Sequence, residues 1–291
     1  MRILGVTFRI PQRAPPMDRR SFFKTALAAG TAGPVLGAGY GLYEAADVQV
    51  ERPEVAVPQL PEAFDGLRVA LLTDLHHGPY VDLEQVAAVV RTTLALQPDV
   101  VVLGGDYSSA EAKYIGPCFE VLTGLKAPLG VYGVLGNHDY WHGIAESHAG
   151  FRSSRIMELT NAGLWLERGS HRLRLAGVDD LWCGKTVVES ALGDARADDA
   201  CVVVSHNPDF AEKLRDPRVG LVLSGHTHGG QLYVPGFGAP IVPSRYGQKY
   251  LKGLVQAPAT TVYVSRGLGT VSAPMRFRSP PELTLLTLRS A

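Results

Sequence analysis

Short apolar runs recur along this chain, and each ends in a cluster of polar residues. Leu67-Arg68-Val69-Ala70-Leu71-Leu72 leads into Thr73-Asp74-Leu75-His76-His77-Gly78, and Asp99-Val100-Val101-Val102-Leu103 leads into Gly104-Gly105-Asp106. Val131-Tyr132-Gly133-Val134-Leu135 runs into Gly136-Asn137-His138-Asp139, Cys201-Val202-Val203-Val204 into Ser205-His206-Asn207-Pro208, and Val219-Gly220-Leu221-Val222-Leu223 into Ser224-Gly225-His226-Thr227-His228. Valine-rich runs bounded by glycine are the pattern of strands buried on both faces. Between the first two, Leu83, Val86, Val89, Val90 and Leu94 fall at helical spacing, which predicts a helix over 82–96 closed by Pro98. Buried strands alternating with helices predict an α/β fold, whose ligands gather outside the carboxyl ends of the strands. All five polar clusters then converge on one site.

The histidines sharpen this picture. Of nine, His76, His138, His206, His226 and His228 stand immediately after predicted strands, beside aspartate or asparagine. A lone histidine is more often structural or superficial than a ligand, but five in this placement are hard to obtain from core packing alone. His142, His148 and His171 lack the placement and are expected at the surface. His77 would point away from its neighbour on an extended backbone. Imidazoles mixed with carboxylate and amide oxygens suit Mn²⁺, Fe or Zn²⁺ rather than Ca²⁺. Cys118, Cys183 and Cys201 are far apart and odd in number, which excludes a complete disulfide framework and a C-x-x-C metal site.

Charge changes the picture at the two ends. The 28 basic residues balance 28 acids, which argues against a general nucleic-acid binder, and 46% hydrophobic residues exclude disorder as the main state. Yet residues 1–46 carry +4 and residues 230–291 carry +6, which leaves −10 between them. Near the amino terminus, Asp18-Arg19-Arg20-Ser21-Phe22-Phe23-Lys24 precedes an uncharged stretch from Thr25 to Tyr43. This is similar to a twin-arginine export signal. Five glycines and Pro34 make the stretch only weakly apolar, although its 19 residues approach the roughly 20 of a membrane span. Residues 1–46 are therefore expected to be a signal, or an uncleaved anchor, handed to the twin-arginine export machinery. Glu44-Ala45-Ala46 offers small residues without a clear cleavage motif, and Met17 is a candidate translation start. The expected location is the periplasm or the outer face of the cytoplasmic membrane. Residues 47–65, punctuated by Pro53, Pro58 and Pro61, read as an extended linker or edge strand, and the folded domain is expected over residues 66–291.

The order D-x-H, G-D, G-N-H-D, an isolated His, then G-H-T-H resembles the calcineurin-like metallophosphoesterases over the body from about residue 66 to the carboxyl terminus. The resemblance implies a two-sheet β-sandwich flanked by helices, with two divalent metal ions. It implies that Asp74, His76 and His228 hold one metal, that Asn137, His206 and His226 hold the other, and that Asp106 bridges them. It further implies a phosphoester substrate attacked in line by a metal-bridging hydroxide, because two cations ~3.5 to 4 Å apart can acidify a shared water and clamp both reacting oxygens. His138 would serve the leaving oxygen and Asp139 would orient its ring.

Thr73-Asp74-Leu75-His76-His77-Gly78, Gly225-His226-Thr227-His228-Gly229-Gly230-Gln231 and Tyr263-Val264-Ser265-Arg266-Gly267-Leu268-Gly269 look like one bacterial branch, of exported phosphodiesterases and enzymes similar to UDP-2,3-diacylglucosamine pyrophosphatases. A phosphodiesterase is the favoured reading. A pyrophosphatase or phosphatase on a lipid-linked substrate is the alternative, and a non-catalytic metal-binding envelope protein is disfavoured because His138 and Asp139 are both present. Gln231 to Tyr250 reads as a long Pro/Gly-rich loop beside the site. Its Tyr233, Phe237, Ile241, Val242 and Tyr246 are either core residues or a contact for an acyl chain or an anionic membrane. Arg245, Arg276 and Arg278 are the candidate contacts for the substrate's phosphate.

Overall fold

The computed structural model describes residues 37–291. The chain divides into two units, residues 1–40 and residues 41–291. Of the first, residues 37–40 are helical. The expectations placed on Met17, on Arg19 and Arg20 and on most of the uncharged stretch lie outside the described residues. No helix among the described residues is long and apolar enough to cross a membrane.

Two sheets form the second unit. In the first, β3 (Arg68–Leu72), β4 (Val100–Leu103), β5 (Val131–Gly133) and β6 (Met157–Glu158) run parallel, and β13 (Glu282–Ser290) lies antiparallel to β3. In the second, β8 (His171–Gly177), β9 (Cys201–Val204), β10 (Val219–Ser224) and β12 (Thr261–Val264) run parallel. Its edges are the antiparallel β7 (Ala162–Arg168) and β11 (Gly253–Gln256).

The continuous apolar runs conceal a period of two. Val69 and Leu71 of β3 join Val202 and Val204 of β9 in a cluster between the sheets. Ala70 and Leu72 face the opposite way, into a cluster shared with α2 (Leu83–Ala95), α3 (Ile115–Leu122) and α4 (Asn137–Ser153). Cys201 and Val203 pack against α5 (Val188–Leu192) and α6 (Phe210–Lys213). Helices thus cover both outer faces, and each parallel strand is apolar on both sides because both sides are buried. This is the α/β fold that the apolar pattern predicted, in the two-sheet arrangement that the family resemblance implied.

Local chemistry sets the boundaries. Asp82 and Gln85 close a capping box at the start of α2, and Gln97 takes a left-handed conformation (φ 50°) just before Pro98. Val86, Val89 and Val90 face the sheet as the spacing required, whereas Leu83 and Leu94 are exposed. Thr93 takes the fourth buried place, with its hydroxyl donated to Val89 O at 2.8 Å. Of linker and edge strand, the two readings of residues 47–65, the structure shows strand, at the edge of the first sheet. β1 (Gln49–Glu51) and β2 (Glu54–Val57), separated by Pro53, both pair with β13. The end of the expected leader is tied to the body as well. Residues 41–46 form the helical stretch α1, and the buried Glu44 carboxylate accepts the N–H groups of Arg278 and Ser279 at 2.9 and 2.7 Å.

Candidate metal centre

The five polar clusters do meet, at the carboxyl ends of β3, β4, β5, β9 and β10. Asp74 and His76 follow β3, Asp106 follows β4, Asn137 follows β5, His206 follows β9, and His226 and His228 follow β10. All seven are buried. Five of them, Asp74, His76, Asp106, His226 and His228, have positive φ between 50° and 69°. Such conformations cost roughly 1–3 kcal/mol each for side chains of this kind, and they persist where the surroundings over-determine them. Here the ligand loops determine one another. Asp74 N donates to Gly105 O and His76 N to Asp106 O, both at 3.0 Å, while His226 N donates to both oxygens of Asp74 at 3.0 Å. Two glycines in the motifs are there for space: a Cβ on Gly136 would strike Asp106 Oδ1, and one on Gly225 would strike Asp74 Oδ2.

Two groups of donor atoms share one carboxylate. Nε2 of His76 and Nε2 of His228 stand 3.1 Å apart, with Asp74 Oδ1 3.3 Å from the latter. In the second group His206 Nε2 lies 3.1 Å from His226 Nδ1 and 3.2 Å from Asn137 Oδ1. Asp106 Oδ2 sits between them, 3.6 Å from His76 Nε2 and 3.1 Å from His206 Nε2. His206 Nδ1 is 2.8 Å from Gly104 O, which fixes that nitrogen as the donor and turns the Nε2 lone pair into the cluster. There it meets a carboxylate oxygen, an amide oxygen and another imidazole nitrogen, and lone pairs brought together in a buried space require a cation among them. A proton competes with the cation for that place. Burial opposes charge on His206, yet Asp106 outweighs it and pushes the imidazole up to about 10, while burial and the neighbouring His206 push His226 down to about 3. Burial would raise Asp74 and Asp106, but the surrounding imidazoles hold both well below the usual carboxylate range. The donor set fits divalent cations with nitrogen and oxygen preference, and it contains no thiolate.

His138 lines the cavity above these residues and its main-chain N–H donates to Asp106 Oδ1 at 2.9 Å. Burial lowers its pKa. Its expected partner is different from the one observed. The Asp139 carboxylate accepts main-chain N–H groups of Asp106, Tyr107 and Gly136 at 2.8, 3.0 and 2.8 Å, binding the loop after β4 to the loop after β5. His138 Nδ1 instead faces His142 Nε2 at 3.2 Å, one helical turn on, so His142 is not the detached surface residue that its placement suggested. His77 turns away as expected, with Nδ1 2.8 Å from Val81 O. His148 pairs with Glu158 and His171 is exposed.

The three arginines are not brought to the cavity. Arg245 and Arg278 are exposed and do not line it. Arg276 is fully buried and donates to the carbonyls of Gly269, Ser279, Arg266, Gly267 and His228. Burial lowers it to about 9, and its donors are spent on shaping the loops behind His228. The sequence reading missed Trp141 and Trp182. Trp141 packs on His138 with ring centroids 4.8 Å apart, Trp182 meets His226 edge-on at 4.4 Å, and the two indoles are 6.4 Å apart. Trp182 follows β8, whose Leu173-Arg174-Leu175-Ala176-Gly177-Val178 run into Asp179-Asp180 repeats the strand-then-carboxylate pattern. Asp180 Oδ1 accepts the main-chain N–H groups of Trp182 and Cys183 and so holds the turn that carries the indole.

Comparison with known proteins agrees with this geometry. The Calcineurin-like phosphoesterase family profile matches residues 67–230. The metallophosphoesterase YkuE of Bacillus subtilis (strain 168) is 34% identical over 94% of this chain and 98% of its own. The phosphodiesterase YaeI of Escherichia coli (strain K12) is 32% identical over 76% of this chain and 82% of its own. A Bos taurus transmembrane protein with metallophosphoesterase domain is 34% identical, and the match covers 82% of this chain but only 56% of that protein. The chain belongs to the calcineurin-like phosphoesterases and is a metal-dependent phosphoester hydrolase.

Proposed function

We propose that this hydrolase is a phosphodiesterase working with two divalent cations, Mn²⁺, Fe or Zn²⁺, one beside Asp74, His76 and His228 and one beside Asn137, His206 and His226. The observation that carries this reading is the Asp106 carboxylate, whose Oδ2 lies within 3.6 Å of one donor group and 3.1 Å of the other. Cations there would supply Lewis acidity to water and to the phosphoryl oxygens. The protein's own part is to hold the donors buried and to present His138. A His142 Nε2–H donated to His138 Nδ1 would leave the His138 proton on Nε2, the nitrogen available to the leaving oxygen. The name of YaeI, a phosphodiesterase, supports diesters over monoesters.

The twin-arginine-like motif supports an exported protein acting on an envelope substrate, and the exposed apolar side chains of residues 232–246 support contact with a membrane surface. The decisive experiment is hydrolysis of bis(p-nitrophenyl) phosphate by the full chain with added Mn²⁺, beside Asp106→Asn. Metal-dependent turnover that disappears in the variant supports the reading, and metal uptake without turnover removes it.

A further inference from the structure

The cavity above the metal donors has a volume of about 440 Å³, and its floor and walls differ in kind. Its floor is Asp106, Asn137, His138, His226 and His228. Its walls are mainly Trp141, Trp182, Leu232, Pro240, Ile241 and Val271, with the polar side chains of Gln231 and Ser272 among them. Among the described residues no lysine or arginine lines it. A substrate carrying several phosphates, or a free phosphate dianion, is ordinarily met by guanidinium or ammonium groups as well as by metals. A phosphodiester carries one negative charge, which the cations of the floor would meet, and its substituents then lie against indole and aliphatic surface.

The apolar wall is not packed core turned outward by accident. Ile241 is 78% exposed although it lines the cavity, and Phe237, in the turn between Leu232 and Ile241, is 86% exposed. That turn is held by Val234 N to Gly238 O at 2.9 Å and by Gly238 N to Val234 O at 2.8 Å. Large apolar side chains kept in water cost free energy unless something covers them in use. Trp141 and Trp182, which also line the cavity, are 55% and 42% exposed.

We infer that the site selects amphiphilic phosphodiesters, with a long aliphatic substituent lying between Trp141 and Trp182 on one side and Leu232 and Ile241 on the other. This rests on the phosphodiesterase reading and names its substrate class. In the reaction, a water oxygen forms the new bond to phosphorus and the bond from phosphorus to the leaving oxygen breaks. The leaving oxygen keeps that electron pair, the proton given up by the water ends on that oxygen or, when it departs as p-nitrophenolate, in solvent, and the aliphatic ester bond stays intact. Each methylene buried in the cavity would favour binding by up to about fourfold.

The test uses the Mn²⁺-loaded full chain and p-nitrophenyl phosphodiesters whose second substituent is methyl, butyl or octyl, all below their micelle-forming concentrations. The thymidine 5′-(p-nitrophenyl) ester, of equal charge, is the polar counterpart. Expected is a kcat/KM for the octyl ester at least about tenfold above that for the methyl ester, with the thymidine ester no better than methyl. Ile241→Asp should pull the octyl-to-methyl ratio towards one, and Trp182→Ala should do so from the other wall. A loss that only weakens the fold would lower both esters together and leave the ratio in place. A series flat in chain length, or a preference for the thymidine ester, overturns the inference while leaving the phosphodiesterase reading intact. No turnover of any ester by metal-loaded protein overturns both.

Discussion

Below the cavity, aspartates are used to hold loops together. Asp74 accepts the N–H of His226, Asp139 those of Asp106, Tyr107 and Gly136, and Asp106 that of His138, while His206 O accepts the N–H of Gly225 and its Nδ1 meets Gly104 O, so every ligand loop is bonded to another ligand loop. The wall formed by residues 232–243 is built differently. It is fastened at its ends, where the Gln231 side chain donates to Val271 O and Ala273 O and Asp209 receives Ser244 Oγ and Arg245 N. Between them Tyr233 N donates to Phe277 O and the Gln248 side chain holds Ala239 N and Phe237 O, while the side chains of Phe237 and Ile241 are left in solvent. Cross-bonded donors suit chemistry, which fails when a ligand moves, whereas an end-fastened loop can change its side chains without disturbing the metals. The contrast predicts that substitutions in the floor damage activity and folding, and that substitutions in the wall alter selectivity alone.

The largest effect belongs to Asp106. Asp106→Asn removes the shared charge from both donor groups, and phosphoester hydrolysis should fall by about 10³-fold with bound metal well below the parent's, read by elemental analysis. Retention of full activity would break the contrast at its centre. His138→Ala comes next, with metal kept and turnover down by roughly 10²-fold or more. His142→Ala should lower turnover less, and should leave it unchanged if the 3.2 Å contact to His138 does no positioning.

Much of this floor was legible in the sequence because a buried parallel strand announces itself as an apolar run, and its ligand stands within a few residues of the run's end. Asp74, His76, Asp106, Asn137, His206, His226 and His228 all stand at such run ends, where the family resemblance singled them out from their neighbours, and their donor atoms fall in overlapping groups that share His76 and Asp106. What a residue does with its side chain once there was less legible. Asp139 adjoins His138 in sequence, but at the start of a helix consecutive side chains diverge, so the residue four places on, His142, reaches the ring instead. Arg276 looked like a phosphate contact because its charge is visible in sequence and its burial is not. The strands β1 and β2 were legible only as a linker or an edge strand, because Pro53 interrupts them and each has β13 as its pairing partner on one edge. Trp182 was missed because Arg172 and Arg174 interrupt the apolar run of β8.

Stability separates the two regions further. Arg276→Met would strand several buried carbonyls at once, each worth about 1–3 kcal/mol, so the variant should lose about 3 kcal/mol or more in chemical denaturation. A smaller loss would mean that the loops behind His228 hold their shape without the guanidinium. Glu44→Gln tests the seam between α1 and the body. An amide presents one acceptor oxygen where the carboxylate presents two, so one of the Arg278 and Ser279 N–H groups is left short, at a cost of about 1–2 kcal/mol.

The smallest effect expected is the most informative about the wall. Phe237→Ser removes a side chain 86% exposed to water, so it should shift the unfolding free energy by no more than about 0.5 kcal/mol. Phe210→Ala, at 2% exposure in the cluster outside the second sheet, should cost about 3–5 kcal/mol by the same measurement. Two phenylalanines in one domain then differ because one is placed for the fold and the other is not. If Phe237→Ser proved as costly as Phe210→Ala, the turn at residues 234–238 would be part of the core, and the separation of a fixed floor from a variable wall would fail.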